Sequence, residues 1–172
     1  MCRFPILMLA CCIVVPAVAT PLVYQEPSQF ISEVFSGEPP MPKKLWITKE
    51  LRDQATAILG HAPEALRYSY WRRDGRTVWI LDEIGKEQPI TAGFVIKDSR
   101  VETVRVLIFR ETRGWEVRYP FFTDQFTGVM LGHDKLLNKD IDGISGATLS
   151  VNALVRLTRL ALLFQQQVTQ GE

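Results

Sequence analysis

Ile90-Thr91-Ala92-Gly93-Phe94-Val95-Ile96-Lys97, then Asp98-Ser99, then Arg100-Val101-Glu102-Thr103-Val104-Arg105-Val106-Leu107-Ile108-Phe109-Arg110 is the stretch that decides the fold. Two runs rich in β-branched and apolar residues flank a short polar turn, which is the pattern of an antiparallel hairpin. Strict alternation puts Val104, Val106 and Ile108 on one face of the second strand and Leu107 and Phe109 on the other. Apolar residues on both faces predict that the late part of this strand is covered from both sides. Toward the N-terminus a second hairpin is predicted over 68–73 and 76–82, around the strong turn signal Asp74-Gly75. Beyond Glu111 the pattern breaks into a stretch rich in glycine and aromatic residues, with Trp115, Phe121, Phe122, Phe126 and Gly128. This suits a loop with a short helix, and loops of such length often carry function. From near Leu149, residues Val151, Leu154, Val155, Leu157, Leu160, Ala161 and Phe164 form a wide apolar helical stripe that should pack across the sheet. The fold class that follows is α+β, a small antiparallel sheet with helices packed on one face and a C-terminal helix last.

The N-terminal third reads as an accessory layer, residues 20–66, before a main domain over 67–172. Pro21, Pro27, Pro39, Pro40 and Pro42 predict mostly extended chain over 20–45, interrupted by a short helix over 29–35 capped by Ser28. Thr48 is placed to cap a clearer helix, with Leu51, Ala55, Ile58 and Leu59 at helical spacing and Gly60 just past its end. Residues 1–19 read as a signal peptide: Arg3, an apolar run over 6–15, then Ala17-Val18-Ala19. The expected location is therefore periplasmic or exported after a cut near Ala19, with membrane association through a retained leader as the alternative.

Composition narrows the chemistry. The chain has 172 residues, which suits one domain with one site. All three cysteines, Cys2, Cys11 and Cys12, lie in the leader, so the processed chain has no thiolate, disulfide or cysteine metal site. His61 and His133 do not stand in a metal-ligand spacing, and His133 beside Asp134 has no accompanying nucleophile. No metal centre and no catalytic residue is predicted. Removing Arg3 takes the 20 basic residues to 19 against 19 acidic ones, and that neutral balance argues against nucleic acid as a partner.

The stretch with chemical content is Asp142-Gly143-Ile144-Ser145-Gly146-Ala147-Thr148-Leu149-Ser150, which runs straight into the C-terminal helix. The first amides of a helix have no intrahelical carbonyl partner, and the helix dipole favours negative charge there, so a phosphate fits. Gly146 and Ala147 allow close backbone approach. The residues alone leave two roles open to Thr148: an N-cap whose hydroxyl accepts an amide hydrogen bond, or a group that meets a phosphate.

Asp142 to Thr148 resembles the motif of the FMN-binding domain family: aspartate, two variable residues, then Ser-Gly-Ala-Thr. Glu111-Thr112-Arg113-Gly114 and Gln125-Phe126-Thr127-Gly128 are similar to two further family stretches, with Arg113 where many members have proline. The resemblance covers about residues 67–164. The family includes periplasmic subunits C and G of sodium-pumping and related NADH-dependent respiratory complexes. It implies a phosphoprotein, with FMN donated from FAD by a flavin transferase that uses a divalent metal and joined through a phosphoester to Thr148.

On that reading Ser145, Gly146, Ala147 and Leu149 hold the phosphate or ribityl chain, Thr112 and Gly114, beside Glu111, line the isoalloxazine, and Trp115 stacks on it or packs in the core. Asp142 either helps the transferase or its metal engage the threonine, or caps the turn. The implied function is electron transfer in a redox chain, with the transferase and a redox protein or membrane respiratory complex as partners. The alternatives are a module that binds FMN noncovalently or docks a protein without redox chemistry, and a flavin-dependent reductase of a small substrate.

Overall fold

The two expected hairpins form the middle of one antiparallel sheet. The computed structural model of the protein describes residues 21–171. The expected leader, its three cysteines and the cut near Ala19 lie outside the described residues. In chain order the elements are β1 (Leu22–Val23), α1 (Pro27–Val34), β2 (Lys43–Trp46), α2 (Lys49–Leu59), β3 (Arg67–Arg73), β4 (Arg76–Ile84), β5 (Pro89–Lys97), β6 (Arg100–Phe109), α3 (Pro120–Thr123) and α4 (Thr148–Gln170). The sheet runs β1-β6-β5-β4-β3-β2, and every pair is antiparallel. Its hairpin turns place both central residues at positive φ, 52° and 74° at Asp74-Gly75 and 50° and 59° at Asp98-Ser99. That is the turn geometry whose twist matches the strands on either side.

Within the deciding hairpin, β6 departs from strict alternation. Thr91 opposes Ile108 while Ala92 opposes Val106, so Leu107 is an extra residue, and a second shift between Val95 and Ile96 leaves Glu102 extra. Bulges of this kind turn the strand over. Val101, Val104, Val106 and Phe109 consequently face one core, and Leu107 faces the other. The expected cover on both sides is present, but Phe109 and Ile108 have exchanged faces.

α4 and α2 form the expected helical layer. Leu154, Leu157, Ala161 and Phe164 pack with Leu51, Ile58, Trp79 and Phe94 in the larger core. Trp79 is fully buried, stacked on Tyr70 at 4.9 Å and tilted to Phe164 at 5.5 Å. The opposite face carries a smaller cover, in which Phe30, Ile31 and Phe35 pack on Val78, Val95 and Leu107. The helices are thus not confined to one face. α1 also begins earlier than expected: Glu26 occupies the cap position and Pro27 opens the helix, so Ser28 is not the cap. Proline is suited to that place because its missing N–H is one the helix start cannot satisfy internally. The expected extended stretch supplies β1 and β2 at the two sheet edges, where Leu45 turns inward as the buried residue of β2.

α2 is capped as its sequence predicts. Leu51 donates its amide to Thr48 Oγ1 at 3.2 Å, and Gly60 closes the helix at φ 85°. Thr48→Ala should lower stability by about 1 kcal/mol, read as a shifted urea midpoint with an unchanged slope. Glu83, with only 3% of its side chain exposed, joins the end of α2 to α4: His61 Nε2 lies 3.2 Å and Arg156 Nη2 2.8 Å from its carboxylate. Arg73 and Arg76, on either side of the Asp74-Gly75 turn, are hydrogen-bonded. Arg76 donates twice to Glu102, at 2.7 and 2.6 Å, and Arg73 donates to the carbonyls of Phe35 and Glu38. Among the described residues no helix is long and apolar enough to cross a membrane.

Candidate functional site

The chain enters α4 through a turn built for close approach. Ala147 donates its amide to Ile144 O at 3.0 Å, and Gly146, inside that turn, sits at φ 82°. A residue with a Cβ would be strained there. Val151 N–H is the first to close onto the helix, donating to Ala147 O at 3.0 Å. The amides of Thr148, Leu149 and Ser150 are therefore the unpaired donors of the helix start. Ala147 holds the cap position, and Thr148 is the first helical residue. The hydroxyl of Thr148 is exposed and makes no hydrogen bond within the described residues, so it does not cap the helix.

These residues form one wall of a cleft of about 590 Å³ lined by Lys86, Glu111, Thr112, Arg113 and residues 146–150. The other wall comes from two sheet connections. Glu111 Oε1 accepts the amides of Lys86 at 2.5 Å, Glu87 at 2.6 Å and Gln88 at 2.9 Å, which fastens the β4–β5 turn to the end of β6. Burial acts to raise the Glu111 pKa, but those three donors and the charge of Lys86 outweigh it and hold the carboxyl below its ordinary range. A lowered carboxyl contributes stability that is present above its unfolded pKa and is lost as pH falls through the folded one. Glu111→Gln should therefore cost about 1 kcal/mol near neutral pH, screening at this surface included. The difference from wild type should vanish in acid, as urea melts across a pH series would register.

Gly114 brings the loop after Glu111 against the first turn of α4. Its φ is 85°, and an added Cβ would lie 2.5 Å from Ser150 Oγ. Gln125 positions the segment leading to the turn: the Asp142 amide donates to Gln125 Oε1 at 2.8 Å, and Gln125 Nε2 approaches Asp142 O at 3.5 Å. The backbone of Asp142 is held in this way, while its carboxylate is exposed and takes no hydrogen bond among the described residues.

The fold thus brings Glu111, Thr112, Gly146, Ala147, Thr148 and Leu149 to one cleft, with Gly114 behind it and exposed Ser145 and Asp142 leading into it. Leu149 offers the cleft an apolar surface, with 48% of the residue exposed. Trp115 is not among the lining residues; it opens a 3-10 turn over Trp115–Arg118, edge-on to Tyr119 at 5.7 Å and beside the Arg118 guanidinium at 5.4 Å. Phe122 and Phe126 are buried, whereas Phe121 is 64% exposed. Lys86 escaped the sequence reading because the β4–β5 turn carries it to the cleft from 60 positions before Gly146. Among the described residues no group of histidine and carboxylate side chains is arranged to hold a metal.

An anion with a flat apolar body fits this cleft. Free amides and two cations suit a phosphate, and Leu149 with Thr112 offers a surface for a ring. Residues 85–163 match the model of the FMN-binding domain family. Every residue lining this cleft falls inside the match, whereas the cleft beside His61 is lined mainly by residues 59–84, outside it, and the one beside Tyr24 takes Tyr24 and Gln25 from outside it. No curated protein matches the chain.

Proposed function

Residues 85–163 form an FMN-binding domain, and from that premise we propose that the protein is an exported electron carrier holding FMN through a phosphoester to Thr148. The observation that carries the reading is the state of that hydroxyl. It is exposed, free of any capping bond, and set among unpaired helix amides in a cleft that falls wholly within the family match.

Attachment would be a phosphoryl transfer from FAD. Thr148 Oγ forms the new bond to the phosphorus on the FMN side, the pyrophosphate P–O bond breaks, AMP leaves, and the hydroxyl proton passes to the transferase or solvent. The amides of Thr148, Leu149 and Ser150 favour the phosphate charge where it comes to rest. A divalent metal on the transferase would offset the charge of the pyrophosphate. The Asp142 carboxylate, without a hydrogen bond among the described residues and six residues before Thr148, is available for the transferase or its metal to engage.

Bound FMN supplies one- and two-electron redox chemistry, and the chain supplies its position and electrostatic surroundings. Electron carriage is favoured over reduction of a small substrate because the cleft's carboxylate, Glu111, is committed to three backbone amides. It is poorly placed to serve as an acid or base. Export follows from the reading of residues 1–19, and the partners would be the transferase and a redox protein or membrane respiratory complex.

Unmodified protein incubated with FAD, magnesium and a flavin transferase should release one AMP for each flavin that stays on the denatured polypeptide. Flavin that binds without AMP release, and washes off on denaturation, would instead identify a noncovalent FMN module.

A further inference from the structure

Arg113 and Lys86 bring two side-chain cations to the cleft from separate connections, the loop after β6 and the β4–β5 turn. The arginines elsewhere in the sheet and on α4 are engaged: Arg73, Arg76, Arg105, Arg110, Arg156 and Arg159 all donate hydrogen bonds. Arg113 is exposed and has no hydrogen bond or ion pair among the described residues. The Lys86 ammonium pairs with Glu87 at 3.0 Å, the two side chains being 68% and 69% exposed, and its charge also acts on Glu111. Such a pair is weak and readily exchanged. The cleft's one carboxylate, Glu111, has its Oε1 turned to the backbone amides of the β4–β5 turn.

We propose that Arg113 and Lys86 form a two-cation clamp that selects the phosphorylated flavin, FMN over riboflavin, and does so independently of any bond to Thr148. The proposal rests on the FMN reading of the cleft. Guanidinium presents a planar fork suited to two phosphate oxygens, and ammonium acts as a point charge. Together with the free amides at the start of α4 they surround a phosphate from the backbone side and from two side-chain directions. Riboflavin would present the same ring and ribityl chain but nothing for the clamp to hold.

The test uses the full chain with Thr148→Ala, purified free of flavin, so that no ester can form. FMN and riboflavin are titrated separately and followed by flavin fluorescence at low and high salt. FMN should bind at least about tenfold more tightly than riboflavin, and only FMN binding should weaken with salt. Adding Arg113→Ala or Lys86→Ala should each weaken FMN about fivefold and leave riboflavin unchanged, with Arg113→Lys recovering part of the loss. Both side chains are exposed, so an unchanged urea midpoint should accompany each substitution.

Equal affinities for the two flavins, or an Arg113→Ala effect of the same size on both, would overturn the clamp while leaving a flavin cleft in place. Failure of FMN to bind would also overturn it, and the FMN reading would then be judged separately by flavin attachment to the wild type. Selective loss of FMN affinity in both cation variants is the result the proposal requires.

Discussion

Thr148→Ala protein, exported beside an active flavin transferase and then denatured, should retain no flavin absorbance while the wild type stays yellow. The loss is expected to be complete, because alanine offers no oxygen for a phosphoester. The substitution is also a mild one. Thr148 is the first residue of α4, exposed and without a side-chain hydrogen bond among the described residues, and alanine is a good helix former. Stability should change by less than about 0.5 kcal/mol, the usual range for a surface position. Had Thr148 capped the helix, the same change would cost about 1 kcal/mol. A urea melt of the flavin-free proteins therefore checks the helix start, and the colour of the denatured chains checks attachment. Residual flavin on the variant would move the bond to another side chain.

The largest effect on stability is expected from Gly93→Val. Gly93 lies in β5 beneath α1, and a Cβ added there would stand 2.4, 2.7 and 2.9 Å from three ring carbons of Phe30. That ring is 1% exposed and is the centre of the smaller core. Valine must either push the ring out or bend the sheet, at a cost of about 3 kcal/mol or more from overpacking and lost aromatic burial. Phe30→Ala alone should cost about 3–5 kcal/mol through the cavity it leaves. In the double variant the valine occupies part of that cavity, so the two losses should fall short of additive by about 1 kcal/mol or more. Urea melts of the four proteins measure this coupling. Strict additivity would mean that α1 does not rest on Gly93.

Gly93 also shows where the sequence was hard to read. Its hairpin was legible because Asp74-Gly75 and Asp98-Ser99 mark tight turns between runs of strand formers, and α2 was legible because Thr48 and Gly60 bracket an apolar stripe. The second helical face was not legible. α1 is short, lies in a proline-rich stretch, and packs onto a glycine whose lack of a side chain leaves no apolar signal. β1 and β2 carry too few residues for a period of two to show, and they gain strand geometry from the edges they join. The exchange of Ile108 and Phe109 follows from bulges, which alternation alone cannot foresee.

At the site, the small residues before α4 announced a helix start open to an anion. Thr148 at its entrance was visible as a group of interest, although its place as first helical residue rather than cap was not. The opposite wall was concealed by distance along the chain. Lys86 reaches the cleft only because Glu111 fastens the β4–β5 turn beside it, and Gln125 acts on Asp142 through a loop with no periodic pattern. Trp115 was readable as a large aromatic side chain in a functional loop, but its neighbours in the fold are Tyr119 and Arg118.

The bond between FMN and this chain is tested by the intact mass of the wild-type protein after export in a host with an active flavin transferase. The sample is denatured and desalted first, so that loosely held flavin is gone. An increment of FMN minus water is expected, carried by the peptide that contains Thr148. An unmodified chain from the same cells, with the transferase shown to act on another substrate, would contradict it.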